Sequence, residues 1–225
     1  MPNALTNPNG KPDNPSSPNA VHRIALCLIA RDEAKMLPGC LESVRGHVDE
    51  MIVVDTGSTD TTIELARQAG AKVVVHPWDD DFAAARNAAR QACTCDWILL
   101  LDADERLVLT SDTDLRAVVT QSDFDCGLLA LHDASRLDAT WAEVSTGDAR
   151  LGAPMLLPRL FRCTDDLQWQ GSVHENVDAW IARGQRRMKD IGELAILHLD
   201  NVPSFRQAQG KDQRNLVLLQ RRCAA

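Results

Sequence analysis

The sequence predicts an α/β fold with an open, mostly parallel β-sheet flanked by helices. Short apolar runs alternate with segments of helical periodicity four times between residues 24 and 101, and this alternation is typical of βαβ units. The runs are apolar throughout and do not alternate with polar residues. They therefore indicate strands of a parallel sheet that is covered on both faces.

Each element of this first half has its own local signal. The helices have apolar residues three and four positions apart, and the strands are rich in Ile, Leu and Val. Thr59 or Asp60 is a suitable cap for the second helix, and Gly70 ends it. Asp79–Asp81 form a loop that caps the third helix. In chain order, the predicted elements are strand 24–30, helix 36–44, strand 51–54, helix 63–66, strand 71–75, helix 82–93 and strand 97–101.

The pattern becomes irregular after residue 105. Pro158 interrupts an apolar run, so we expect this run to be an edge strand. Residues 168–177 are polar and aromatic, which indicates a loop. The second half is predicted to continue the same sheet and to cover a pocket. Its predicted elements are helix 115–120, strands 126–131, 155–162 and 194–198, and a basic helix over 205–222.

Length and composition limit the domain organisation and the class of partner. A chain of 225 residues fits one domain, predicted over residues 21–225, after a Pro-, Asn- and Ser-rich disordered leader over 1–20. We expect a nucleotide-binding half over about 21–106 and a covering half over about 107–225. A net charge of −8 argues against nucleic-acid binding. No apolar run could span a bilayer. Because no apolar signal segment begins the sequence, a cytoplasmic location is expected, with peripheral contact at the inner face of the membrane left open.

The seven cysteines have no regular spacing. An odd number without a signal segment favours a reducing compartment. Cys93-Thr94-Cys95 suggests a metal site, but no second cysteine pair or histidine pair accompanies it. The sequence therefore predicts no zinc site there.

Carboxylates follow the last strand of the first half. Asp102 and Asp104 are two positions apart, so their side chains point the same way from an extended segment. Open α/β sheets bind ligands at this carboxyl edge. Two converging carboxylates suit a hard divalent cation that also bridges phosphate oxygens. A solvated acidic turn is the simpler alternative.

Three common sites do not fit these loops. The turn over residues 30–33 has no glycine, which excludes a dinucleotide fingerprint, and no Gly-rich loop ends in Lys-Ser/Thr. Residues 55–58 match the tetrapeptide of aspartic proteases, but that chemistry needs two copies. Asp55 could instead accept a hydrogen bond from a base, while Gly57 and Ser58 make a tight turn.

Four strand-end motifs together resemble family 2 glycosyltransferases of the GT-A fold. The motifs are residues 31–33, 55–60, 81–87 (Asp-Phe-x-x-x-Arg-Asn) and 102–105. The resemblance is strong over residues 22–106 and looser over 158–219. It is closest to the subgroup that includes lipopolysaccharide-core glucosyltransferases and bacteriocin glycosyltransferases. It implies a Rossmann-like nucleotide-binding half and a smaller acceptor half.

The resemblance also implies roles for individual residues. Asp55 would contact the nucleobase, and Arg86 would lie at the nucleotide pocket. Asp102 and Asp104 would hold Mg²⁺ or Mn²⁺ on the diphosphate, and His198 would complete the metal shell. The residues predicted to bind the nucleotide-sugar are Asp55, Arg86, Asp102, Asp104, Arg31 and Glu33.

The covering half would supply the base. Residues 171–175 resemble the family segment Gly-x-x-His-Glu, which makes Glu175 the candidate general base and His174 its alternative. Trp169 would stack on a sugar or lie at the rim of the core. Lys211, Arg214 and Asn215 would reach phosphate or form a solvated helix face.

These roles together predict a function. The resemblance implies an inverting, metal-dependent transferase that moves a hexose from a nucleotide-sugar, usually a UDP-sugar, to a glycan, lipid-linked or peptide acceptor. Two alternatives remain. One is a nucleotide-sugar-binding module without activity. The other is a nucleotidyltransferase, which normally has a Gly-rich loop after the first strand.

Overall fold

A computed structural model describes residues 22–120 and 123–199 of the protein. The predicted leader, the basic helix over 205–222 and the cluster of Lys211, Arg214 and Asn215 lie outside these residues. The strands are β1 (Ile24–Ala30), β2 (Glu50–Asp55), β3 (Lys72–Val75), β4 (Trp97–Leu100), β5 (Glu105–Leu109), β6 (Cys126–Asp133), β7 (Met155–Arg162) and β8 (Met188–His198). The helices are α1 (Leu37–Ser43), α2 (Thr62–Gln68), α3 (Phe82–Ala92), α4 (Leu115–Thr120), α5 (Trp141–Thr146) and α6 (Asp178–Gly184).

Within the described residues, eight strands form one sheet in the order β3-β2-β1-β4-β7-β6-β8-β5. The first four are parallel to one another, as predicted. Alternate residues of β1 enter different hydrophobic clusters: Leu26 and Leu28 belong to one, and Ala25 and Cys27 to the other. The sheet is therefore buried on both faces. Because β1, β2 and β4 run the same way, their carboxyl ends meet at one edge.

The predicted edge strand lies inside the sheet. β7 pairs antiparallel with β4 on one side and β6 on the other, so this prediction is wrong. Its proline is tolerated because the register shifts between Gly127 and Leu128, which pair with Leu160 and Pro158. A bulge of this kind interrupts the ladder, and a missing backbone N–H is accommodated there. Arg159 lies between the paired residues.

The acidic stretch leads directly into a strand that the sequence did not predict. β5 begins at Glu105 and pairs antiparallel with β8, which starts six residues earlier than predicted. Glu105 lies opposite His198 in this register. The pairing brings a histidine from the end of the described chain to the carboxylates that follow β4.

The helices confirm some of the predicted caps. Asp81 caps α3 by accepting a hydrogen bond from the Ala84 N–H at 3.0 Å. The N-cap of α2 is Thr61, not Thr59 or Asp60 as predicted, but the Asp60 carboxylate accepts from the backbone N–H of Thr62 at 2.9 Å. Helices α5 and α6 were not predicted. Within residues 22–120 and 123–199, no helix is long and apolar enough to cross a membrane.

Candidate active site

A cavity of about 300 Å³ opens at the carboxyl ends of β1, β2 and β4. The chain leaves the sheet at these three points, so short loops bring polar side chains together. Of the residues predicted to bind the nucleotide-sugar, hold the metal or act as the general base, all but Asp55 line the cavity: Arg31, Glu33, Arg86, Asp102, Asp104, Glu175 and His198. The sequence thus predicted most of the residues that meet here.

Arg86 connects the two halves of the site. It lies on α3, and only 6% of its side chain is exposed. Its Nη2 atom donates to Asp102 Oδ1 at 2.7 Å, and its Nε atom donates to Glu175 Oε1 at 3.1 Å. Within the described residues, the buried Nη1 atom has no hydrogen-bond partner. One guanidinium group therefore holds two carboxylates and keeps a donor for a further group.

The surroundings of Asp102 favour its charged form. Burial raises the pKa of this carboxyl group, but the nearby charges of Arg86 and Arg159 outweigh burial and hold the pKa well below its usual range. The Arg159 Nη2 atom lies 3.8 Å from Asp102 Oδ2. Asp102 is therefore an anion between two cations.

Asp104 and His198 face each other across the cavity. His198 Nε2 lies 3.8 Å from Asp104 Oδ1, and His198 Nδ1 lies 2.6 Å from Asp133 Oδ1. Burial lowers the pKa of His198, but the hydrogen bond to Asp133 and the charge of Asp104 raise it overall. In the described part of the chain, the donor atoms of Asp102, Asp104 and His198 do not all lie within 4.8 Å of one another. The three predicted ligands line one cavity without forming a compact cluster.

The carboxylate of Asp55 stabilises a turn. Its Oδ2 atom accepts hydrogen bonds from the backbone N–H groups of Gly57 at 3.0 Å and Ser58 at 3.1 Å. Asp55 is buried, and it is the adjacent Thr56 that lines the cavity. This geometry matches the tight-turn alternative. Base recognition by Asp55 remains a prediction.

Sequence reasoning missed a buried ion pair beneath the site. Arg159 Nη2 donates to Glu105 Oε1 at 2.5 Å, and Glu105 Oε2 accepts from the backbone N–H of Asp102 at 2.9 Å. Burial raises the pKa of Glu105 to about 7, although the charge of Arg159 opposes the shift. The pair thus anchors the backbone of the acidic stretch. The only sequence signal was an arginine inside an otherwise apolar strand.

Residues 168–177, which we call the cover loop, close one side of the cavity. Asn87 on α3 exchanges two hydrogen bonds with the backbone of Trp169, both 2.9 Å long. The Trp169 ring is buried against Phe161, with ring centroids 5.3 Å apart. His174 has a φ of 54°, a conformation uncommon for a residue with a side chain. The asparagine of the 81–87 motif thus positions the loop that carries Glu175.

A second cavity of about 580 Å³ adjoins the first. The two cavities share Arg86, Asp102, His174 and Glu175. The walls of the second cavity are otherwise largely apolar and include Leu157, Pro158, Phe161, Trp169, Val177 and Ile181. Glu175 therefore lies where a polar cavity meets an apolar one.

An aromatic pair near the mouth of the first cavity was also missed. The rings of Trp78 and Phe82 lie edge to face with centroids 4.8 Å apart, and both residues line the cavity. Phe82 belongs to the 81–87 motif, but the motif did not predict a position at the site for this side chain.

The chain is similar in sequence to several known proteins. The family model described as "Glycosyl transferase family 2" matches residues 25–145. A TPR repeat-containing protein of Synechococcus elongatus is 44% identical over 159 residues, covering 71% of this chain and 36% of that protein. The prophage-derived glycosyltransferase SunS of Bacillus subtilis is 26% identical over 204 residues, covering 87% of this chain and 44% of SunS. The chain therefore spans less than half the length of these curated relatives.

The fold also matches a solved structure. GalNAc-T7, crystallised with UDP, GalNAc and Mn²⁺, superposes with a TM-score of 0.58 at 12% identity, covering 90% of this chain and 48% of that one. At this level of identity the likeness supports the fold alone. The mixed sheet flanked by helices is of the GT-A type.

Proposed function

The chain belongs to glycosyl transferase family 2, and from that premise we propose that it is an inverting, metal-dependent glycosyltransferase. It would move a hexose from a UDP-sugar to an acceptor nucleophile. The main support is the shared position of Arg86, Asp102 and Glu175 at the junction of two cavities. A donor in the polar cavity and an acceptor in the apolar one would meet at Glu175.

The donor side suits a nucleoside diphosphate. Arg86 Nη1 is buried with no hydrogen-bond partner in the described residues, and an anionic oxygen would satisfy it. Arg31 lies at the rim of the same cavity. The two cations would bind the diphosphate and stabilise the charge that develops when it departs.

The donor atoms available also suit a divalent cation. Two carboxylates, Asp102 and Asp104, and the imidazole of His198 line the cavity, and this set fits Mn²⁺ better than Mg²⁺. The contact of His198 Nδ1 with Asp133 would direct Nε2 toward the ion, as outer carboxylates do in metal sites. When bound, the ion would act as a Lewis acid toward the leaving diphosphate. Binding of the ion requires the Asp102 carboxylate to contact both the ion and Arg86.

Glu175 is the proposed general base. Inverting transfer needs a group opposite the leaving diphosphate that takes the proton of the acceptor hydroxyl as it attacks the sugar. The contact with Arg86 fixes the Glu175 carboxylate at the boundary of both cavities. His174 also lines both cavities and remains the alternative base.

The apolar walls of the second cavity support an acceptor with an apolar portion. Of the acceptor classes considered, a lipid-linked acceptor fits such walls better than a fully hydroxylated glycan. The covering half, about residues 107–225, would then determine acceptor choice. Residues 21–106 would bind the donor.

The test is release of UDP from a panel of UDP-sugars, with and without lipid-linked acceptors, in Mn²⁺, Mg²⁺ or a chelator. Glu175→Gln should keep donor affinity and lose about two to four orders of magnitude in transfer. Asp104→Asn should abolish metal-dependent UDP binding. Glu64→Gln and Asp112→Asn, which change exposed carboxylates away from the cavity, are matched controls.

Four outcomes would contradict the proposal. Full transfer activity of Glu175→Gln would show that Glu175 is not the general base. Unchanged UDP affinity of Asp104→Asn would show that Asp104 does not hold the metal. Pyrophosphate as the product would indicate a nucleotidyltransferase. Tight UDP binding without turnover on any acceptor would indicate a binding module.

A further inference from the structure

A cluster of thiols lies at the opposite edge of the sheet from the cavity. Cys93 and Cys95 lie in the segment between α3 and β4, Glu50 begins β2, and Cys163 follows β7. These positions surround the amino-terminal end of the parallel strands, whereas the cavity lies beyond their carboxyl ends. We call Glu50, Cys93, Cys95 and Cys163 the thiol cluster. It takes no part in the proposed transfer reaction.

Three members of the cluster are already close enough to share an ion. The donor atoms of Glu50, Cys93 and Cys95 all lie within 4.8 Å of one another. Cys95 Sγ lies 3.5 Å from Glu50 Oε2. Sulfur ligands about 2.3 Å from a tetrahedral zinc ion are about 3.8 Å apart. Small side-chain rotations therefore suffice to reach ligand spacing.

The local backbone holds these side chains in place. Glu50 Oε2 accepts hydrogen bonds from the backbone N–H and the hydroxyl of Thr94, both at 3.1 Å. Cys93 Sγ accepts from the backbone N–H of Cys95 at 3.4 Å. The Cys-x-Cys segment is thus folded around one carboxylate before any ion binds.

Cys163 can supply the fourth ligand. The Cys93 thiol is within hydrogen-bonding reach of both Cys163 and Cys27. Cys27 is almost fully buried in the middle of β1, packed below α3. Cys163 is only partly buried and directly follows β7, and its backbone N–H donates to the carbonyl oxygen of Asp96, next to Cys95, at 2.7 Å. Cys163 is therefore the better candidate.

The donor atoms of the cluster suit zinc. Soft thiolates select zinc over Mn²⁺ or Mg²⁺, whereas the proposed ligands in the cavity are two carboxylates and one imidazole. The two metal sites would therefore not compete.

We propose that Cys93, Cys95, Glu50 and Cys163 bind one zinc ion. The ion would join the start of β2, the segment between α3 and β4 and the loop after β7. Its role is structural, because all its ligands lie at the sheet edge remote from the cavity.

The experiment measures zinc in the full chain purified under reducing conditions and dialysed against metal-free buffer. We expect about one equivalent of zinc per chain by elemental analysis. Replacing zinc with Co²⁺ should give a thiolate-to-cobalt charge-transfer band and the visible spectrum of a tetrahedral site. Mapping of alkylated peptides should show that zinc protects Cys93, Cys95 and Cys163. The double variant Cys93→Ser/Cys95→Ser should contain no bound zinc and should show neither the cobalt charge-transfer band nor the tetrahedral visible spectrum.

Two controls make the result specific. Cys126→Ser changes a buried thiol outside the cluster and should retain the zinc. Asp104→Asn removes a ligand proposed for the divalent cation in the cavity and should also retain the zinc. Absence of zinc and of the cobalt charge-transfer band in the unmodified chain would overturn the proposal even if the double variant does not fold. Zinc retained by the double variant, or a disulfide in place of the metal, would also overturn it.

Discussion

Replacement of Arg86 by methionine would test the centre of the site. The change keeps a long unbranched side chain but removes the hydrogen bonds to Asp102 and Glu175. A hydrogen bond to a charged group contributes about 1.5–3 kcal/mol. The side chain of Asp102 is 38% exposed and that of Glu175 is 17% exposed. Both can recover part of their hydration, so we take the lower end for each bond. The expected loss is about 3 kcal/mol in the free energy of unfolding, or about 6–12 °C in Tm for a chain of this size.

Denaturant unfolding of four proteins would measure this coupling directly: the wild type, Arg86→Met, Asp102→Asn and the double variant. We expect a coupling energy of about 1.5 kcal/mol between the two residues, the lower end taken above. Arg45→Met is the matched control, because Arg45 forms an ion pair with Glu42 in which both side chains are more than half exposed. Its loss should be under about 1 kcal/mol.

UDP titration of the same variants supplies a second readout. Arg86→Met should weaken UDP binding, because a cation is lost from the cavity. A coupling energy below about 0.5 kcal/mol would refute the reasoning, since the ion pair would then be no more than a surface contact. Unchanged UDP affinity would separately refute the proposed contact between Arg86 and the diphosphate.

Three further changes test the surroundings of the site. Asn87→Leu should speed amide hydrogen exchange in the cover loop and lower transfer while UDP affinity stays near wild type; an unchanged exchange rate would contradict the anchoring role. Glu105→Gln should remove a pH dependence of the free energy of unfolding. Because burial raises the pKa of Glu105 from 4.5 to about 7, the native state retains a proton that the unfolded state has lost between these pH values. Denaturant melts should therefore show that the stability of the wild type relative to the variant falls as the pH rises from 4.5 to about 7. Asp49→Asn should lower the free energy of unfolding by about 1 kcal/mol at neutral pH. Burial raises the pKa of Asp49, but hydrogen bonds from Arg116 and a backbone N–H lower it overall, so the difference in stability between wild type and variant should disappear as acid protonates the native carboxylate. A difference that persists in acid would contradict this account.

The sequence predicted features that depend on neighbours along the chain. Apolar runs located β1 to β4. Because open α/β sheets bind ligands at the carboxyl ends of their strands, the positions of Asp102 and Asp104 after β4 predicted that both would line the cavity. The cap of α3 by Asp81 followed from three adjacent residues. The resemblance to a known family then selected Arg86, Glu175 and His198, which line the same cavity.

Features that depend on long-range register were not predictable in this way. The bulge at Pro158 places Arg159 beneath the acidic stretch, and only the pairing of β6 with β7 determines that position. The strand order likewise brings Cys163 near Cys93, although seventy residues of sequence separate them. Asp55 shows the opposite limit: its motif was recognised, but its carboxylate is used by the adjacent turn.

The antiparallel pairing of β4 with β7 has a consequence for turnover. It joins both halves of the molecule through a continuous ladder of backbone hydrogen bonds, so a hinge opening between them would have to break the middle of the sheet. In the proposed reaction, substrate entry and product release would then have to occur without separation of the two halves. A pair of spectroscopic reporters, one on each half, should therefore keep the same separation when UDP binds.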